Sequence, residues 1–159
     1  MDTFIEQAFR FFMYAMMGMV LETVSAVDGI DHSLGYHVDR RVPKKYAEGF
    51  VSLYMIPLHG FGMLYGFELV RNLTADWFIG FRYLLWCILF TFFEVAWGWV
   101  LDKSIGFYPW DYYAKSKYKM FKRGYTLWTL VPQWGLAGLF LEVYSDLLRY
   151  LSPYVVKFF

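Results

Sequence analysis

The stretch that decides the fold is residues 77–101, WFIGFRYLLWCILFTFFEVAWGWVL. Among its aliphatic and aromatic residues it holds only two charged side chains, Arg82 and Glu94. A helix needs about 20 apolar residues to cross the hydrocarbon core of a bilayer, so this stretch is long enough to span a membrane. Because lipid offers the backbone no hydrogen-bond partners, we expect a helix here rather than an isolated strand.

Three further segments of similar character are predicted as spans, at residues 3–27, 49–70 and 125–148. We expect Ser152-Pro153 to end the last helix, because proline has no backbone N–H to continue the helical ladder. The expected architecture is an all-α membrane protein, a four-transmembrane-helix bundle that occupies residues 1–159 as one transmembrane domain.

The composition excludes an ordinary soluble domain. The chain is 58% hydrophobic, 24% aromatic and 18% charged, whereas soluble domains are roughly 45–50% apolar and about 25% charged. The net charge of +1 gives no reason to expect a nucleic-acid partner. We therefore expect a multi-pass protein of the cell membrane, in contact with membrane lipid.

The basic residues are concentrated in two long loops, residues 28–48 and 102–123, which a four-helix serpentine places on the same side. Cytoplasmic loops are enriched in lysine and arginine, so we expect both loops to be cytoplasmic. The basic residues of the two loops are Arg40, Arg41, Lys44, Lys45, Lys103, Lys115, Lys117, Lys119, Lys122 and Arg123. Those predicted to bind a lipid head group are Arg40, Arg41, Lys44, Lys45, Lys122 and Arg123.

The two halves of the chain resemble each other. A glycine-aromatic pair followed by Pro-x-x-Gly recurs at an offset of 75 residues, and a glutamate recurs at an offset of 72. This favours a duplicated helical hairpin with a pseudo-two-fold axis along the membrane normal. The alternative is chance recurrence of common membrane-helix residues. The matched elements are Gly49-Phe50 with Gly124-Tyr125, Pro57 and Gly60 with Pro132 and Gly135, and Glu22 with Glu94.

Glu22 and Glu94 are the most informative polar residues of the predicted spans. A carboxylate at mid-helix costs roughly 2.5–3.5 kcal/mol on insertion scales, and such residues are functional candidates by default. The functional interpretation is a pair that binds a proton or cation, or a catalytic acid/base. The structural interpretation is a pair bridged to loop lysines and arginines or to helix N-termini.

His59 and Gln133 lie beside the matched prolines of the second and fourth predicted spans. Helices interrupted at matched depth in two halves indicate a binding site, so both side chains are candidate ligand-binding groups. Trp97 lies one turn from Glu94. The three histidines are scattered, and we expect neither a metal site nor a cofactor.

Residues 94–112, EVAWGWVLDKSIGFYPWDY, resemble the transmembrane protein 229 family and the related ABC-transporter type IV (CmpB-like) membrane proteins. The shared pattern is a membrane glutamate, a glycine four residues later and a Trp-Asp-Tyr motif after the helix. Here these are Glu94, Gly98 and Trp110-Asp111-Tyr112. The family's first-helix glycine and glutamate match Gly18 and Glu22. The family's usual serine after the motif is Tyr113 here, which places ligand contacts in this loop in doubt.

The resemblance implies a transport-related role, with ATP hydrolysis assigned to a partner because the chain has no Walker motif. Our first expectation is a permease-like or small-ligand and lipid-handling protein, working as a homo-oligomer or with a partner membrane or ATPase subunit. One alternative is an intramembrane enzyme acting on a lipid head group. The other is a non-catalytic accessory subunit of a larger complex. The expected ligand-binding residues are Glu22, Glu94, Trp97, His59 and Gln133, with Trp110 and Asp111 at the mouth.

Overall fold

A computed structural model describes residues 3–39 and 42–158 of the chain. It is mostly helical. The α-helices are α1 (Phe4–Val24), α2 (Ile30–Leu34), α3 (Glu68–Leu73), α4 (Ile79–Ser104) and α5 (Val131–Val156). π-Helices span Ser25–Gly29 and Leu58–Phe67, 3-10 turns span Lys44–Tyr46, Leu53–Met55 and Asp111–Lys115, and the strands are β1 (Lys119–Met120) and β2 (Thr126–Leu127).

The first predicted span forms helix α1 and continues without a break. Thr3 and Glu6 make a capping box, which satisfies backbone N–H groups that have no intrahelical acceptor. At its other end α1 runs into the π-helix Ser25–Gly29 and then into α2, which stops at Gly35. Gly35 has a φ of 72°, the left-handed conformation that glycine adopts without strain.

The second predicted span begins later than expected. Residues 49–52 are extended, and helical structure starts only at the 3-10 turn Leu53–Met55, which Ser52 caps by accepting from the Tyr54 N–H. Gly49 passes so close to α1 that an added Cβ would lie 2.4 Å from the Thr23 carbonyl oxygen. Residues 49–52 therefore pass α1 as extended chain, where the sequence predicted the first turn of the helix.

The fourth predicted span is displaced at both ends. Residues 125–130 are not helical: Tyr125 is a bend, β2 follows and pairs antiparallel with β1, and a turn leads from β2 to α5. At the other end α5 passes through Pro153 to Val156, so the expectation that Ser152-Pro153 ends the helix is wrong. The Ser152 hydroxyl donates to the Leu148 carbonyl at 2.6 Å, the bond that a helical serine makes to the carbonyl four residues earlier; the carbonyl that Pro153 deprives of an N–H donor is that of Arg149.

The four helical segments pack side by side. Helix α4 packs along α5, and α1 packs against both the π-helix Leu58–Phe67 and α5. The two long loops meet at one end, which we call the loop end: the Tyr36 hydroxyl donates to the Tyr112 carbonyl at 2.6 Å and Ser116 donates to Leu34 at 2.7 Å. The connection between α3 and α4 lies at the opposite end, the turn end.

Two helices of the described residues, Phe4–Val27 and Ile79–Ser104, are long and apolar enough to cross a membrane by length and composition. Helix α5, which contains most of the fourth predicted span, carries Glu142, Asp146 and Arg149, which lower its hydropathy. One face of α4 is exposed and wholly apolar, a pattern that water does not favour and lipid does. Its residues are Phe81, Leu84, Ile88 and Phe92.

Candidate functional site

Glu94 lies buried on α4 and is held by donors from two other elements. Its side chain is 8% exposed. Trp134 of α5 donates its indole N–H to Oε2 at 3.1 Å, and the Thr126 hydroxyl of β2 donates to the same oxygen. The hairpin after α4 therefore folds back to meet a buried carboxylate of the preceding helix.

Glu22 of α1 is bonded to the imidazole of His59. His59 Nε2 lies 2.8 Å from Glu22 Oε1. This contact requires the tautomer in which Nε2 carries the proton and donates to the carboxylate oxygen. Gly18, one turn earlier on α1, makes the approach possible, because a Cβ there would lie 2.2 Å from His59 Cγ. Glycine at this position and the π-helix that carries His59 together fix the Glu22–His59 pair.

The two carboxylates act on the same pair of tyrosines. Burial is the main cause that raises the pKa values of the Tyr112 and Tyr113 hydroxyls, and the charges of both Glu22 and Glu94 raise them further. The charges of both glutamates thus act on the 3-10 turn Asp111–Lys115 at the loop end. We call Glu22, His59, Glu94, Thr126 and Trp134 the carboxylate site.

Two further glutamates of the helices have arginine partners. Glu68 lies 2.9 Å from Arg10 Nε and accepts from the Tyr14 hydroxyl at 2.8 Å. Glu142 accepts from Arg82 Nη1 at 2.5 Å and from the indole of Trp86.

Glu142 also lies 3.9 Å from Arg71 Nε. Burial without a countercharge is costly, and these two carboxylates are neutralised by guanidinium groups.

The carboxylate site has no such neutralisation. Within residues 3–39 and 42–158, neither Glu22 nor Glu94 lies within 4.0 Å of a lysine or arginine nitrogen. Their partners are hydroxyl and indole donors and one imidazole. An ionisable side chain in an apolar helix without a lysine or arginine partner is a candidate functional group, and Glu94 is the more buried of the two.

The remaining predicted ligand-binding residues make other contacts. Gln133 donates to the Ser33 hydroxyl at 2.8 Å, and Trp97 donates to the Tyr54 carbonyl at 3.2 Å. Trp110 is buried and donates to the Tyr125 carbonyl at 2.7 Å, whereas Asp111 is exposed. These four residues lie towards the loop end, and none of them makes a hydrogen bond to Glu22 or Glu94.

The predicted head-group residues are scattered at the loop end. Lys45 and Lys122 are exposed, and the Arg123 guanidinium lies 3.5 Å from Asp102. Arg40, Arg41 and the Lys44 side chain lie outside the described part of the chain.

Sequence reasoning missed Trp134, Thr126 and the role of the loop tyrosines. Trp134 follows His59 by the repeat offset of 75 residues, so the alignment of the two halves holds a signal for it. Nothing in the sequence marks Thr126, because its contact depends on the hairpin that returns to α4.

The fold is thus that of a helical protein with membrane-length apolar helices and buried carboxylates. The profile of the family described as "Putative ABC-transporter type IV" matches residues 9–158. The chain belongs to this family, which confirms the CmpB-like resemblance and is consistent with a transport-related protein of a membrane. Neither a curated protein nor a solved structure matches the chain.

Proposed function

We propose that this chain is a permease-like, multi-pass membrane protein in which Glu22 and Glu94 bind a proton or a small cation. The observation that carries the proposal is a contrast between two pairs of glutamates. Glu68 and Glu142 are paired with arginines, whereas Glu22 and Glu94 are held by neutral donors and His59. Membrane carboxylates of the second kind mark ion and proton pathways in transport proteins.

The proposed membrane arrangement has four spans in one domain, residues 1–159. At about 1.5 Å per residue, α5 is long enough to cross a bilayer core of about 30 Å. Its charged residues near the turn end face arginine or asparagine partners rather than lipid. The basic loops 28–48 and 102–123 would be cytoplasmic by the positive-inside rule.

The internal repeat supports a shared site on a pseudo-two-fold axis. At an offset of 72 residues, Arg10 and Tyr14 of α1 correspond to Arg82 and Trp86 of α4. Each of these pairs supplies one arginine and one aromatic donor to a glutamate of the following helical segment, Glu68 or Glu142. Glu22 and Glu94 follow at the same offset of 72.

The π-helices account for two of the changes of offset along the chain, those within the helical segments. His59 and Trp134 correspond at 75, but Glu68 and Glu142 correspond at 74, and the π-helix Leu58–Phe67, which includes His59, ends just before Glu68. A π-helix inserts a residue into an α-helix, so the offset falls by one across it.

The other π-helix has the same effect. Glu22 and Glu94 correspond at 72 but Gly35 and Gly106 at 71, and Ser25–Gly29 lies between Glu22 and Gly35. Both glycines have positive φ values, 72° and 84°.

The repeat leaves the two carboxylates chemically different. His59 and Trp134 occupy corresponding positions and donate to Glu22 and Glu94, respectively. Imidazole can take up and release a proton, whereas the indole N–H only donates. We therefore propose that His59 exchanges a proton at Glu22, whereas Trp134 only holds Glu94 in place for the proton or cation that this carboxylate binds.

The family description favours work with a partner. Four helices enclose little space for a pathway, and the chain has no Walker motif. We propose that it functions as a homo-oligomer or with a membrane or ATPase subunit, surrounded by lipid.

Thermal unfolding of the purified protein in detergent tests the binding of a cation. Na⁺, K⁺ or ammonium would replace N-methylglucamine at constant ionic strength, for the wild type and the Glu22→Gln/Glu94→Gln variant. A ligand that binds the folded state raises the Tm as its concentration passes the Kd. We expect the wild type to respond to at least one cation or to lowered pH, and the double variant to lose that response.

The matched control is Asp76→Asn, which neutralises an exposed carboxylate at the turn end. It should respond as the wild type does. A double variant that still responds fully, or a wild type indifferent to all three cations and to pH, would contradict the proposal.

A further inference from the structure

We infer that Arg71, Arg82 and Arg149 form a phosphate-binding site at the turn end, separate from the carboxylate site. The phosphate is that of a lipid head group or a free phosphate ion. The inference uses the proposed membrane arrangement but does not depend on cation binding by Glu22 and Glu94.

Three helices place these arginines at the turn end. Arg71 lies in α3, Arg82 is the fourth residue of α4, and Arg149 lies in the last turns of α5. Arg149 Nη1 donates to Asn72 Oδ1 at 2.5 Å, which places it beside the residue next to Arg71. Arg71 and Arg82 both face Glu142.

The protein satisfies these arginines only in part. Arg82 bonds Glu142 through Nη1 at 2.5 Å, and Arg71 bonds Asp146 through Nη2 at 2.9 Å. The Nε atoms of Arg71 and Arg82 are buried and have no hydrogen-bond acceptor in the described residues; Arg71 Nε is 3.9 Å from Glu142. Buried donors are nearly always satisfied, so within the described residues the protein uses only part of the donor capacity of these two guanidinium groups. Their side chains are 16% and 17% exposed, which favours a further acceptor at the Nη atoms.

The charges favour an anion. Three arginines meet two carboxylates, Glu142 and Asp146, and the Asp146 side chain is 51% exposed, so solvent screens it. The planar guanidinium fork matches the oxygens of a phosphate and forms charge-assisted hydrogen bonds with it.

The position fits the surface of a bilayer. Arg82 lies in the first turn of α4, where a spanning helix leaves the hydrocarbon for the head groups. Trp77, just before α4, is half-exposed, and tryptophan is enriched at this level of the membrane.

Native mass spectrometry with defined lipids tests the site. The wild type in mild detergent would be titrated with phosphatidylglycerol, with diacylglycerol of the same chains, and with inorganic phosphate as competitor. The variants are Arg71→Gln and Arg149→Gln, both of which leave the Arg82–Glu142 pair intact. The control is Lys122→Gln, an exposed residue at the loop end.

We expect the wild type and control to retain phosphatidylglycerol but not diacylglycerol, and each arginine variant to bind it roughly tenfold more weakly, the effect of losing one charge-assisted hydrogen bond. Displacement by inorganic phosphate would support phosphate recognition and assign the soluble source; its failure would assign the lipid. Equal retention of the two lipids, or unchanged retention by both arginine variants, would overturn the inference.

Discussion

Neutralising Glu142 should destabilise the protein far more than neutralising Glu94, although both side chains are buried glutamates. Glu142→Gln removes the countercharge of Arg82, whose Nη1 lies 2.5 Å away and whose side chain is 17% exposed. Leaving one member of a buried ion pair uncompensated costs about 3–5 kcal/mol. Because Arg82 is partly exposed, we expect the loss of unfolding free energy at the lower end, about 3 kcal/mol.

Glu94→Gln leaves no cation behind. Trp134 and Thr126 donate to the same carboxylate oxygen, and the amide oxygen of glutamine can take its place. The net change is then that of adjusted hydrogen bonds, about 1 kcal/mol or less.

Reversible unfolding in mixed micelles with increasing denaturing detergent measures both variants on one scale. Arg82→Gln added to Glu142→Gln should recover much of the lost stability, because it removes the orphaned charge. Equal destabilisation by Glu142→Gln and Glu94→Gln, or no rescue by the second substitution, would refute the distinction between arginine-paired and uncompensated carboxylates.

Three further predictions concern single residues. Gly18→Ala adds a Cβ 2.2 Å from His59 Cγ and should displace the imidazole. We expect the cation concentration needed for the rise in Tm to increase at least tenfold. Gly66→Ala, where the added Cβ meets open space, should leave that concentration unchanged. Trp134→Phe leaves Glu94 without its indole donor and should lower the unfolding free energy by about 1–3 kcal/mol in the same micelle assay; the exposed Trp128→Phe is its control. Burial raises the pKa of Tyr108 from 10.0 to about 12. A raised pKa contributes to the unfolding free energy below pH 10, and this contribution is lost as the pH rises towards 12. Tyr108→Phe should therefore flatten the fall of the unfolding free energy between pH 10 and pH 12.

Apolar stretches of the sequence predicted helices correctly where the apolar residues are in fact helical, and incorrectly where they form a loop core. Residues 77–101 correspond closely to α4, Ile79–Ser104. The predicted span at 125–148 begins too early, because Tyr125 and Leu127 are as apolar as helix residues but belong to the loop-end core. Hydropathy indicates that a side chain avoids water, but it does not indicate whether the backbone at that residue is helical.

The site was predictable in its charges but not in its partners. Glu22, Glu94 and His59 stand out because polar residues are rare in apolar spans. Gln133 was preferred to Trp134 for its polarity, yet adjacent residues of a helix with 3.6 residues per turn point about 100° apart. Only Trp134 reaches Glu94.

Infrared difference spectroscopy of the carboxyl groups tests the central claim most directly. Spectra of the protein in lipid would be recorded on lowering the pH and on exchanging N-methylglucamine for the cation that raises the Tm. The account predicts a carboxyl C=O band that changes with pH or cation, that is lost in Glu94→Gln or altered in Glu22→Gln, and that persists in Glu142→Gln carrying Arg82→Gln. A spectrum in which no band depends on Glu22 or Glu94 would contradict the assignment of these two carboxylates as the binding site.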